Sequence, residues 1–189
     1  MKIKYNSPVI LTFAIAATVV TALSESVYPR LASTYFAVGH PFNWASILSW
    51  FRLVSHIIGH AGWPHLFGNF TMILLIGPIL EEKYGSDDLL LMVVFTALTT
   101  GILNMILFPK TLLLGASGIV FMLIILASMA NFHQGEIPLT FVLVAVLFGG
   151  GEILQALKPD KISQFAHILG GITGAGFGFL LVRRKGSAK

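Results

Sequence analysis

The sequence predicts an all-α, polytopic membrane protein of six transmembrane helices, with one long interfacial loop between the first and second. Composition sets the solvent: 56% of the 189 residues are apolar, 11% are charged and 15 are phenylalanine. That balance puts lipid rather than water on the outside. Charges then interrupt the chain so that the uncharged runs approach the ~20 residues a helix needs to cross the hydrocarbon. Basic residues gather at both ends, Lys2 and Lys4 first and Arg183, Arg184, Lys185 and Lys189 last. Both termini are therefore expected on the cytoplasmic side, which an even number of spans also requires.

The runs are taken in order. Asn6 to Ser24 is the first span; Ala22-Leu23-Ser24 resembles a cleavage site, but the apolar stretch is long for a signal peptide and reads as a retained anchor. The second lies between Pro64 and Leu80, the third between Leu89 and Phe108, and the fourth between Gly115 and Ala130. Ile137 to Leu157 and Ile162 to Val182 supply the fifth and sixth. Between the first two spans, Pro29 to Trp63 holds Trp44, Trp50 and Trp63 with Tyr35, Phe36, Phe42 and Phe51, broken by His40, Pro41 and Asn43. Amphipathic rings interleaved with polar residues belong at headgroup level, so this loop is expected half sunk in the outer leaflet. No linker or repeat is left over, and residues 1–189 are expected to form a single bundle domain without a separate soluble domain. The formal charge of +4 does not gather into a patch that could follow a phosphate backbone, so nucleic acid is not an expected partner. With no cysteine, disulfides and thiolate metal sites are excluded.

Two polar residues sit among glycines inside these apolar runs: Ser117 in Gly115-Ala116-Ser117-Gly118 and His167 in Ala166-His167-Ile168-Leu169-Gly170. Hydroxyl and imidazole are costly there unless they find partners. The fourth helix is expected to begin near Ala116, after an extended apolar lead-in. Ser117 then stands beside unpaired backbone N–H groups suited to an oxyanion. A packing or N-cap serine is the alternative. In the sixth span Gly170, Gly174 and Gly178 recur every four residues and form a bare stripe on which another helix can pack backbone to backbone. If that helix is the fourth, the small residues Gly115, Ala116 and Gly118 let Ser117 and His167 meet. A neutral imidazole so placed can act as a base near pH 7, whereas a structural histidine bonded to a carbonyl is the competing reading.

A third cluster contains His56, His60, His65 and Asn69, as two i,i+4 pairs around Gly62-Trp63-Pro64. Pro64 suits the first turn of a helix, which puts His65 at its outer end and Asn69 one turn deeper on the same face. Both can donate to a developing oxyanion beside the Ser117 N–H. His-x-x-x-His is also metal-ligand spacing, but the cluster holds no carboxylate, and no His-Glu-x-x-His occurs in the chain.

Trp50-Phe51-Arg52, His56, His60, His65 with Asn69, Glu81 before Gly85-Ser86, Gly115-x-Ser117-Gly118 and Ala166-His167-x-x-Gly170-x-x-x-Gly174 together resemble the rhomboid intramembrane serine proteases, most closely the bacterial GlpG type. The resemblance runs from about Trp50 to Gly178. It implies a six-helix fold in a bacterial inner membrane, with a Ser–His dyad opening to the periplasmic side. Ser117 would be the nucleophile and His167 the general base; His65, Asn69 and the Ser117 N–H would form the oxyanion hole. His56 and His60 match structural positions around the site, and Arg52 and Glu81 match loop anchors. Phe121 stands where the family usually has tyrosine, and Phe51-Arg52 where it usually has Trp-Arg. The soluble N-terminal domain of some relatives is expected to be absent.

On this reading Ser117 attacks a peptide carbonyl, His167 passes the proton to the leaving amine, and water releases the acyl-enzyme. No cofactor or metal is expected; the partners are transmembrane protein substrates and membrane lipid. Glu152 reads as an interfacial carboxylate rather than a third catalytic member. Access is expected beside the fifth span and the Lys158 to Gln164 loop, where Gly149-Gly150-Gly151 weakens the helix. A histidine-based metal transporter or sensor and a non-catalytic scaffold that binds transmembrane helices are the rival readings.

Overall fold

The structure is a computed structural model that describes residues 3–39, 41–129, 136–149 and 162–186. Its helices are α1 (Pro8–Ser26), α2 (Leu31–Tyr35), α3 (Ile47–Ser55), α4 (Trp63–Tyr84), α5 (Ser86–Leu107), α6 (Ser117–Ser128), α7 (Leu139–Val144) and α8 (Ile162–Gly186), with a π-helical turn, Ala145–Gly149, following α7. The architecture is all-α, as expected. Helices α1, α4 and α5 are long and apolar enough to cross a membrane, and α6 and the Phe165–Leu180 stretch of α8 are shorter apolar helices. Lys2, His40, Ala130, Gly150, Gly151, Glu152, Leu157, Lys158 and Lys189 lie outside the described residues, and with them the far end of the fifth expected span.

Helix starts follow local chemistry. Pro8 and Pro64 occupy the first turns of α1 and α4, where a missing N–H costs nothing. Gly85, at φ +90°, turns α4 into α5, and Asp87 and Asp88 in the first turn of α5 complement its dipole. Helices α1 and α4 pack through a notch at Gly77, where an added Cβ would stand 2.5 Å from Ile10 Cδ1, and through Phe13 edge-on to Phe70 at 5.0 Å.

Glu81 departs from the loop-anchoring role expected of it. Its buried carboxylate accepts the N–H groups of Val9 (2.9 Å) and Ile10 (3.0 Å) and the Ser86 hydroxyl (2.7 Å). The first N–H groups of a helix lack intrahelical partners, so an anion on a neighbouring helix is favoured there. Arg52 does anchor the loop, donating from its guanidinium to the Thr34 carbonyl at the end of α2. The loop itself carries two short helices, α2 and α3. Phe42, Trp44 and Trp50 form an edge-to-face cluster with centroids 4.9–5.6 Å apart, and Trp44 is 75% exposed. Amphipathic rings of this kind are enriched at lipid interfaces.

Helix α6 has 12 residues, about 18 Å of rise against a hydrocarbon thickness of about 30 Å, so it starts or stops inside the membrane. It packs more extensively against α8 than against any other element. The contact is between backbones. A Cβ on Gly170 would stand 2.8 Å from the carbonyl carbon of Gly118, one on Gly174 2.5 Å from the Met122 carbonyl oxygen, and one on Gly178 2.6 Å from Met129 Sδ. Two of these obstacles are backbone, which cannot rotate away. Gly170→Val or Gly174→Val should therefore lower the apparent Tm in detergent by several degrees or prevent folding. Gly171→Ala, whose Cβ would meet Ile125 at an ordinary 3.6 Å, should leave Tm near the parent value.

Candidate active site

Ser117 is the first residue of α6, with Ala116 as its N-cap. The chain reaches it through an extended lead-in: Val38 and Leu113 exchange backbone hydrogen bonds of 3.0 and 2.8 Å, which ties the long loop to this segment. Gly115 then takes φ +115°, a conformation that L side chains rarely adopt, and its N–H donates to the His56 carbonyl at 2.9 Å. The first intrahelical bond is Val120 N–H to Ala116 O, so the Ser117 N–H precedes the ladder and points from a positive helix end. Ser117 is half-buried, and Gly115, Ala116 and Gly118 around it are buried.

His65 and Asn69 approach this turn from α4. A Cβ on Gly115 would stand 2.6 Å from His65 Cε1, 2.8 Å from His65 Nε2 and 3.7 Å from Asn69 Nδ2, so glycine is required there for space as well as for φ. The Ala61 N–H donates to His65 Nδ1 (3.4 Å), which leaves Nε2 of the neutral ring to carry the proton, on the side facing Gly115. Asn69 is oriented by His60. His60 Nδ1–H donates to the Ile58 carbonyl (3.1 Å), so its bare Nε2 accepts from Asn69 Nδ2–H (3.0 Å). Two donors, His65 Nε2–H and the Asn69 amide, thus face the segment that carries Ser117.

His56 is fully buried. Its Nδ1–H donates to the Leu53 carbonyl (3.1 Å), and its Nε2 lies 3.4 Å from the Thr100 hydroxyl of α5. Both His56 and His60 are engaged by the protein itself, His56 at Leu53 and His60 at Ile58 and Asn69. Among the described residues, no three His, Asp or Glu side chains are grouped as metal ligands.

His167 enters from α8. Its ring lies flat on Phe121, one turn after Ser117, with centroids 4.3 Å apart and planes 7° apart. The preceding Ala166 carbonyl oxygen would be 3.2 Å from a Cβ on Gly118. The glycine contact therefore carries His167 to the start of α6, where Ser117 is the first helical residue, and His65 and Asn69 reach the same segment at Gly115.

Thr96, Thr100 and Thr173 were not anticipated. Thr96 Oγ1–H donates to Thr173 Oγ1 (3.2 Å), Thr173 Oγ1–H to the Gly170 carbonyl (2.8 Å), and Thr100 packs its methyl 3.2 Å from the Cβ position of Gly118. These hydroxyls pin α8 to α5 beneath the site. Threonines spaced by four along an apolar run are the one trace they leave in the sequence, and that pattern does not name a partner helix.

Burial pushes both His56 and His60 down to about 4 from the usual 6.5. The unfolded chain then binds protons at higher pH than the folded one. Stability is fully present above pH 6.5 and is lost as the pH falls towards 4. Thermal unfolding in detergent should show Tm constant from pH 8 to 7 and declining from near 6.5, above the range where carboxylates titrate. A Tm that first drops below pH 4.5 would mean that these rings are not buried neutral.

Comparison with known proteins gives the family. The family model described as the rhomboid domain matches residues 48–184. The chain is similar to rhomboid-related protein 1 of Caenorhabditis elegans, 33% identical over 142 residues that cover 69% of this chain and 40% of that protein. It is 28% identical over 136 residues to rhomboid protease GlpG of Haemophilus influenzae, covering 68% of each. RHOMBOID-like protein 2 of Arabidopsis thaliana is 31% identical over 135 residues, 70% of this chain and 43% of that protein. The chain thus spans less than half the length of the nematode and plant relatives, and its identity to GlpG is no higher than to them.

Proposed function

The chain belongs to the rhomboid family of intramembrane serine proteases, and from that premise we propose that it cleaves peptide bonds in or near transmembrane segments of other membrane proteins with a Ser117–His167 dyad. The observation that carries the reading is the convergence on the first turn of α6. His167 lies against Phe121, one turn after the serine, and His65 and Asn69 lie against Gly115, just before it.

In the proposed reaction His167 removes the Ser117 proton as Oγ attacks the carbonyl carbon. The carbonyl oxygen becomes anionic beside the Ser117 N–H, His65 Nε2–H and the Asn69 amide. His167 then protonates the leaving amine, and water repeats the sequence to free Ser117. His56 and His60 hold the loop and Asn69 in place. Gly115, Gly118, Gly170 and Gly174 allow the approaches, and Phe121 supports the base. We further place the active site towards the periplasm of a bacterial inner membrane, with six spans, both termini cytoplasmic and residues 1–189 acting as one bundle. Substrates would come in beside α7. None of the α7 residues is buried, and its helix widens into the Ala145–Gly149 π turn, the packing expected of an element that yields.

A cleavage assay with purified protein and a single-span substrate in liposomes tests the reading. Ser117→Ala and His167→Ala should reduce turnover to background without loss of Tm, and a fluorophosphonate probe should label the parent at Ser117 but not the Ser117→Ala variant. EDTA should leave the rate unchanged; zinc-reversible inhibition would instead favour histidine ligation of a metal. Asn69→Ala should lower kcat by about 10²-fold or somewhat more and stay above the dyad variants, since one of several donors is lost. Equal losses for Asn69→Ala and His167→Ala would give Asn69 a larger part than donor.

A further inference from the structure

Helix α8 meets α6 along one line of residues, Ala166, Gly170, Gly174 and Gly178, which lie against Gly118, Met122 and Met129. A line of contact fixes how far apart two helices stand, but it leaves each free to roll about its own axis. A roll of about 10° moves an atom at the ~5–6 Å outer radius of a helix by about 1 Å. A displacement of that size costs about 10²-fold in rate. We infer that α5 sets this roll: the Thr96–Thr173 hydroxyl pair, with the ring pairs Phe108–Phe165 and Phe95–Phe177 on either side of it along α8, positions His167. The inference rests on the dyad reading above.

The three contacts share one flank of α8. Thr96 Oγ1 lies 3.2 Å from Thr173 Oγ1, and the ring pairs meet edge to face with centroids 5.0 Å apart for Phe108–Phe165 and 5.6 Å for Phe95–Phe177. On α8 each partner immediately precedes a residue of the contact line: Phe165 before Ala166, Thr173 before Gly174 and Phe177 before Gly178. His167 immediately follows Ala166. Successive residues of a helix are about 100° apart. The α5 contacts and His167 therefore stand on opposite flanks of the line, and a roll that turns His167 must slide all three contacts across α5.

Ring pairs tolerate sliding better than a hydrogen bond does, because a hydrogen bond weakens steeply with angle. The hydroxyl pair is directional. The Thr173 proton is committed to the Gly170 carbonyl (2.8 Å), so Thr173 Oγ1 is the acceptor and the fully buried Thr96 the donor. Helix α5 is also seated against the start of α6. Thr100, one turn along from Thr96, packs its methyl 3.2 Å from the Cβ position of Gly118, the residue after Ser117. One helix thus touches the serine's turn and the histidine's helix, which makes it the common reference for both.

Thr96→Val keeps the branched shape of the side chain and removes the donor. In liposomes with a single-span substrate, kcat should fall about three- to tenfold with KM and Tm near the parent values. Fluorophosphonate labelling of Ser117, which needs the base but no transmembrane substrate, should slow by the same factor. Thr96→Ser should restore both rates, and Thr96→Val combined with Thr173→Val should be no slower than the slower single variant. Phe108→Leu and Phe165→Leu should slow both reactions by a similar factor. Thr99→Val is the control, since the Thr99 hydroxyl bonds the Phe95 carbonyl of its own helix, and should match the parent. Parent rates in Thr96→Val, or a loss that follows Tm and that Thr96→Ser does not restore, would overturn the inference and leave the contacts as packing alone. His167→Ala, measured alongside, separates the two readings. If it cleaves at the parent rate the dyad reading fails; if it is inactive while Thr96→Val is unchanged, only this inference fails.

Discussion

In a bilayer an apolar side chain gains nothing by leaving lipid for protein, so helices are held where backbones can touch and where polar groups pair. The contact of Gly170 and Gly174 on α8 with Gly118 and Met122 on α6 is, among the described glycines, the closest approach of one backbone to another. The rest of the site depends on it. It sets how far the ring of His167 stands from the first turn of α6, and it brings that ring flat onto Phe121. Reactions of this kind lose about 10²-fold in rate for a displacement near 1 Å, whereas packing responds more gradually. On the proposed dyad, the glycine stripe is therefore a catalytic constraint written in residues that take no part in the chemistry.

The second requirement is that every polar group carried into the apolar interior be supplied with a partner. Glu81 answers the first N–H groups of α1, and His60 answers Asn69. The His56 carbonyl answers the Gly115 N–H. Each arrangement also positions something. His60 aims the Asn69 amide at Gly115, and His56 holds the turn from which Ser117 projects. A buried histidine kept neutral is well suited to such bracing, because its two nitrogens offer one donor and one acceptor in fixed directions.

The replacement of the usual family tyrosine by Phe121 fits the same logic. Phenylalanine presents a ring face to His167 at stacking distance.

Much of this architecture was legible in the sequence. Charge spacing marked the helices, the four-residue glycine repeat marked the packing face of α8, and Gly115-x-Ser117-Gly118 marked a helix start inside the membrane. These signals are local: each rests on the transfer cost or conformational freedom of residues a few positions apart, and tertiary structure cannot cancel such costs. Which groups meet across helices was not legible. Glu81 was expected to hold a loop and instead caps α1, 71 residues away at Ile10. The tie between Val38 and Leu113 had no sequence signature, and the spacing of the α5 threonines did not name α8 as their partner. A hydroxyl or a backbone amide can satisfy its hydrogen bond with any partner that the packing brings near, so its residue type says that a partner is needed and only the assembled bundle decides which one it is.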